Sequence, residues 1–205
     1  GTVISYSVKE VNVPEGYTST VSGDAKNGFT ITNSHTPETT QVSGTKTWSD
    51  SNDQDGKRPG SITVKLLANG IEKVSKTVTA DDDWKYSFTN LPKYADGQLI
   101  SYTVTEDGVE DYQTTISGYD ITNSYTPGKT SITVTKAWSD NNDQDGKRPQ
   151  DIKVQLYAGE DKCGEEVTLN TGNNWSHIWT GLDVKKAGTV ISYSVKEVNV
   201  PEGYT

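Results

Sequence analysis

The chain has 205 residues, of which 31% are hydrophobic, and its formal net charge is −9. That acid excess argues against nucleic acid and anionic membranes as partners, since both repel a negative surface. A single cysteine, Cys163, rules out an internal disulfide framework, and with two histidines it leaves no metal set, so neither a metal nor a cofactor is expected.

No apolar run is long enough to span a bilayer, and no lipidation signal is present, so the chain reads as a fragment of a larger exposed protein. In chain order, Val3, Ile4, Tyr6 and Val8 predict a strand ending near Glu10. Pro14-Glu15-Gly16 predicts a turn, Gly28 to Ser34 a second strand, and Thr36 to Thr40 a linker. The next segment opens with Lys46-Thr47-Trp48-Ser49-Asp50 and a polar loop, Asp53-Gln54-Asp55-Gly56-Lys57-Arg58-Pro59. Strands are predicted at Ile62 to Leu67, Val74 to Val78, Trp84 to Phe88, Leu99 to Glu106, Tyr112 to Ile116 and Tyr119 to Tyr125, with Asn69-Gly70 as a hairpin turn. From Lys129 the pattern returns: Ile132 to Trp138, Ile152 to Tyr157, Val167 to Leu169, Trp175 to Trp179 and Val190 to Glu197.

Two periods organise these elements. Lys46, Trp48 and their loop recur 90 residues later as Lys136, Trp138 and Asp143-Gln144-Asp145-Gly146-Lys147-Arg148-Pro149. Residues 1–18 recur unchanged as residues 188–205, a longer period of 187. Residues 41–126 are therefore expected to be a complete domain. Residues 129–205 are expected to be a second domain without its last strand, and residues 1–36 the closing part of another second-type domain. A segment of the 19–36 type would complete residues 129–205. About seven short strands per unit, with no helical periodicity, predict all-β antiparallel sandwiches.

Side chains two apart on a strand share a face, so if Trp48 is in the core Lys46 is buried with it. The same parity puts Tyr102, Val104 and Glu106 on one face, and Ile121 and Asn123 on one face. The first unit thus offers Lys46, Glu106 and Asn123 together. The second offers Lys136 and Glu197, and the opening segment offers Glu10 and Asn33. An apolar site favours a neutral amine and a protonated acid. Glutamic acid can then polarise the asparagine carbonyl and pass the lysine proton to departing ammonia, leaving a Lys–Asn isopeptide bond. Fixing amine and amide side by side supplies the effective molarity that an inert amide needs.

The Lys-x-Trp-x-Asp opening, the Asp-Gln-Asp-Gly-Lys-Arg-Pro loop, Tyr-x-Val-x-Glu and the closing Ile-Thr-Asn-Ser-Tyr/His-Thr-Pro resemble the Cna B-type domains of Gram-positive surface adhesins, most closely paired staphylococcal B repeats. The resemblance implies tandem inverse immunoglobulin-like sandwiches, each with a self-formed bond between its first and last strands: Lys46 to Asn123, and Lys136 to an Asn33-type residue, with Glu106, Glu197 and Glu10 as the catalytic carboxyls. It also implies a non-enzymatic stalk outside the cell, at the bacterial wall, whose partners are neighbouring repeats. Direct collagen binding is not expected to follow from it. Because the linker of about six residues reaches only about 20 Å, the open second unit is expected to take its missing strand from another molecule, a head-to-tail strand complementation.

Other readings of the same residues are simpler. The lysines can be strand-edge residues and Glu106 a solvated neighbour. The Asp-rich loop faintly echoes a calcium loop but lacks the bidentate glutamate, which favours a solvated connection. The tryptophans read as core or half-buried strand residues, and Cys163 as an exposed hairpin residue. The rival function is a collagen- or glycan-binding module using an aromatic sheet face.

Overall fold

A computed structural model describes residues 1–205. The opening segment forms one antiparallel hairpin, β1 (Thr18–Asp24) and β2 (Gly28–Ser34). The first unit holds β3 (Thr39–Ser49), β4 (Ser61–Ala68), β5 (Ile71–Thr79), β6 (Lys85–Pro92), the short hairpin β7 (Tyr94–Ala95) and β8 (Gln98–Leu99), β9 (Tyr102–Glu106), β10 (Gln113–Ser117) and β11 (Asp120–Ser124). The second holds β12 (Lys129–Thr135), β13 (Asp151–Ala158), β14 (Asp161–Lys162), β15 (Val167–Asn170), β16 (Ser176–Asp183), β17 (Lys185–Lys186), β18 (Thr189–Val190) and β19 (Tyr193–Glu197).

In the first unit a four-stranded sheet, β10-β11-β3-β6, faces a three-stranded sheet, β5-β4-β9. The alternation of β4 explains the layering: Ile62, Val64, Leu66 and Ala68 point inward, while Thr63, Lys65 and Leu67 lie between them less buried. Val42, Tyr86, Phe88 and Ile121 supply the opposing face of the core. First and last strands run parallel, with Ile121 opposite Lys46 and Asn123 opposite Trp48. Gly44 lets them close up. A Cβ there would stand 2.8 Å from the Tyr86 hydroxyl, which itself donates to the Tyr119 carbonyl.

The second unit has the same second layer but half of the first. β13 pairs with β15 and β19, as β4 does with β5 and β9. Against this, β12 pairs with β16 alone. Its buried cluster is correspondingly small, Ile152, Val154 and Leu169, with Val134, Trp138, Trp175 and Trp179 only partly covered.

Three sequence expectations are corrected here. Residues 3–10 form no strand, although in their identical copy, residues 190–197, Tyr193–Glu197 form β19 on β13. A strand needs a neighbour for its amides and carbonyls, and Val3, Ile4 and Tyr6 have none and remain exposed. The strand predicted through Trp138 stops at Thr135 for a related reason: no strand lies on its far side, whereas β3 is held to Ser49 by β11. Trp84 and Trp175 precede their strands, with φ of 56° and 55°, so β6 and β16 begin after them.

Candidate functional site

The three residues of the first unit come from the middle of β3, the end of β9 and the body of β11. Lys46 is 2% exposed on the inward face of β3. Its Nζ lies 2.9 Å from Glu106 Oε1, and both side chains are wholly shielded from solvent. Burial pulls the Lys46 amine below its ordinary value, and the adjacent Glu106 carboxylate opposes that pull. Trp48, two residues on, sets its ring 4.4 Å from the same Nζ. Thr114 donates to the other Glu106 oxygen at 3.1 Å, fixing the carboxyl from β10.

Asn123 shares the inward face of β11 with Ile121 and is fully buried. Neither its Nδ2 nor its Oδ1 has a hydrogen-bond partner. A buried carboxamide left wholly unpaired costs several kcal/mol on the general scale, roughly 2–7 kcal/mol per polar group without compensation, so such a group calls for a reason.

The same parts recur incompletely elsewhere. Lys136 Nζ donates to Glu197 Oε2 at 3.0 Å, beneath the Trp138 ring at 4.6 Å, but these two side chains keep 19% and 18% of their exposure. No strand carrying an asparagine covers them. In the opening segment Asn33 Nδ2 donates to Glu10 Oε1 at 2.9 Å, and Ser19 donates to the other oxygen at 2.6 Å. Ser19 stands across from Asn33 as Thr114 stands across from Asn123. Those hydrogen bonds hold the half-buried Glu10 carboxyl below its ordinary value. One centre thus has lysine, glutamate and asparagine, one lacks the asparagine, and one lacks the lysine.

The Asp-rich loop is not the solvated connection expected from its composition. Asp50 is 2% exposed and accepts from Arg58 Nε at 3.0 Å and Nη2 at 2.6 Å, from the Asp53 amide at 2.9 Å and from the Tyr112 hydroxyl at 2.9 Å. This set, led by Arg58, depresses the Asp50 carboxyl to about 2. Asp140, Arg148, Asp143 and Tyr204 repeat it in the second unit, where Arg148 likewise holds Asp140 well below the carboxylate range. The signal that could have found this network was present: Asp, Arg and a distant Tyr all recur in both units. Composition alone hides it, because the same residues build wet loops. Cys163 proves half-buried, with its carbonyl facing the buried Gln155 amide.

No helix is long and apolar enough to cross a membrane. A family model described as "Cna protein B-type domain" matches residues 1–34, 42–124 and 132–205. The collagen adhesin of Staphylococcus aureus is 51% identical over all 205 residues, although the chain spans only 17% of that relative's length. The crystal structure of two B repeat units of the collagen binding protein of the same organism is 50% identical, with a TM-score of 0.59, covering 100% of this chain and 55% of that one.

Proposed function

The chain belongs to the Cna B-type domain family of surface adhesins, and from that premise we propose that it is an extracellular, wall-borne stalk segment locked by a Lys46–Asn123 isopeptide bond. Domains of this family are structural and not enzymes. The observation that carries the covalent reading is the Asn123 carboxamide, fully buried with both polar atoms unpaired, on the strand beside a solvent-free Lys46–Glu106 pair.

In this reading Glu106 takes a proton from the Lys46 ammonium, and burial favours the resulting neutral amine. The Nζ lone pair attacks Asn123 Cγ while the Glu106 acid hydrogen-bonds Oδ1. Glu106 then relays the proton lost by Nζ to Nδ2, the Cγ–Nδ2 bond breaks, and one ammonia leaves as the Cγ–Nζ amide forms. The reaction runs once. Its product ties β3 to β11, the first and last strands of the unit, so tension applied at the two ends travels through the bond and leaves the core under little load.

The second unit is completed, on this proposal, by a hairpin like β1–β2, which would lie along the free edge of β12 and bring an Asn33-type residue to Lys136 and Glu197. In a tandem array the following repeat supplies it; between separate chains the N-terminal hairpin of another molecule does. Supporting this are the open edge of β12, the partly exposed pair there, and an exposed hairpin that already carries glutamate-bonded Asn33. Collagen binding is left to other parts of such an adhesin. The deciding experiment is the intact mass of the denatured chain: loss of one ammonia that Lys46→Ala abolishes. An unshifted mass in the parent chain would reduce the first unit to an unlinked sandwich.

A further inference from the structure

The loop of the first unit does more than fold itself: it seats the second unit. Asp55 is 7% exposed, and its Oδ2 accepts from the Tyr125 hydroxyl at 2.8 Å and from the Gly128 amide at 3.0 Å. The Gly188 amide donates to the Gln54 carbonyl at 3.1 Å. Gly56 and Gly188 touch through their backbones, so a Cβ on Gly188 would lie 3.2 Å from Gly56 Cα. Tyr125 and Gly128 belong to the exit and linker, and Gly188 to the β17–β18 hairpin of the second unit.

Both halves of this joint recur unoccupied. The Asp140–Pro149 loop has the same internal bonds, Asp143 N to Asp140 Oδ1 at 3.0 Å and Gly146 N to Asp143 O at 3.0 Å, so it is set before anything docks. Yet Gln144, Asp145 and Gly146 are exposed, beside a cleft of about 330 Å³ lined by Asp140, Asp145, Lys147 and Tyr204. The matching knob is the β7–β8 hairpin of a first-type unit. Its Asp96 and Gly97, at φ of 48° and 73°, reproduce Ala187 and Gly188 at 47° and 78°. Nothing lies within 4 Å of a Cβ placed on Gly97 or on Gly146. The linker matches too. Lys93 donates to the Glu38 carbonyl at 3.0 Å as Val184 does to Gly128 at 3.1 Å, and Tyr17 stacks on His35 at 5.3 Å as Tyr112 does on Tyr125 at 5.5 Å. His35 therefore stands in the place of Tyr125.

We infer that the Asp140–Pro149 loop is the docking seat for the next repeat of the same protein, with the Gly97 hairpin of that repeat on Gly146 and the Asp145 carboxylate accepting from the His35 imidazole and the Glu38 amide. The inference rests on the second unit being completed by a 19–36-type segment. The two joints differ in chemistry. Asp55 feels the Lys185 cation and a neutral phenol; Tyr94 replaces Lys185 at the second joint, leaving histidine as the new charge partner of Asp145. The other charged group at this joint is Lys147, in the place of Lys57, which lies 5.9 Å from the Tyr125 ring; on its own side the His35 ring meets the Gly16 carbonyl at 2.8 Å. Protonation of His35 tightens this joint, so repeats dock more firmly at mildly acidic pH and loosen as pH rises through the imidazole's value.

The test is histidine titration by NMR in the chain lengthened at its C-terminus by a copy of residues 19–187, compared with the chain itself. The junction histidine is expected to titrate about one pH unit above the N-terminal His35, and Asp145→Asn to abolish the difference. Amide exchange at the Gly97 of the added repeat should slow relative to the first Gly97. A junction histidine that titrates with His35, indifferent to Asp145→Asn, overturns the inference. The denatured mass of the same array separates the two failures. A Lys136-dependent ammonia loss with an ordinary histidine sinks the docking alone, and absence of that loss sinks the completed second unit.

Discussion

Lys46 and Glu106 meet at 2.9 Å with no solvent on either side chain, whereas Lys136 and Glu197 make the same pair at 3.0 Å with about a fifth of each exposed. The difference is the covering hairpin β10–β11, which has no counterpart in the second unit.

Because Glu106 offsets the buried charge of Lys46 and, in the proposed reaction, relays the proton, Glu106→Gln should stop ammonia loss in the first unit. It should also destabilise that unit by roughly 3 kcal/mol or more, the usual cost of leaving one partner of a buried pair alone. Intact mass and urea unfolding read the two effects separately. A Glu106→Gln chain that still loses ammonia removes the carboxyl from the mechanism.

Acid should weaken the first unit through Asp50. Its folded value, about 2, lies below the ordinary 3.8. The stabilisation is therefore present above about pH 4 and is lost as pH falls toward 2, on the order of 2 kcal/mol. Asp50→Asn should be less stable than the parent at pH 7 and lose less on acidification over that interval. Parallel stability–pH curves for the two would contradict this assignment.

Strand complementation predicts a covalent ladder on denaturing gels from the chain alone at high concentration. Neither Asn33→Ala nor Lys136→Ala should form one by itself, since each lacks an end. Mixed, they should give a dimer and nothing longer, because the first retains only the Lys136 acceptor and the second only the Asn33 donor. A ladder from either variant alone would point to a different linkage.

Gly44→Ala should cost about 1–3 kcal/mol, the usual range for overpacking, because its Cβ meets the Tyr86 hydroxyl and the Tyr119 carbonyl. Since Tyr119 leads into β11, the same change should slow ammonia loss at Asn123. Unchanged thermal stability would show that the first and last strands have room to separate.

Much of the site was legible without coordinates. Parity placed Lys46 with Trp48, Val104 with Glu106 and Ile121 with Asn123, and each pair does share a face. What parity cannot say is which strands become neighbours. The parallel pairing of β3 with β11 brings residues 46 and 121 opposite each other, a long-range choice made by packing Val42, Ile121 and Tyr86 into one core. The loop was misread because Asp50 and Arg58 look solvated until a distant hydroxyl, Tyr112, and the rest of the unit close over them.

The sequence by itself determined the repeat periods, the all-β class and the residue types of the candidate centre, because strand alternation and duplication are local properties written along the chain. Tertiary structure decided which strands become neighbours and how far each centre is sealed from solvent. Residues 6–10 and 193–197 are the same peptide, Tyr-Ser-Val-Lys-Glu, yet only the second is a strand, since only it has β13 to receive its hydrogen bonds. A β-strand is a relation between two segments, and one segment's sequence specifies only its half.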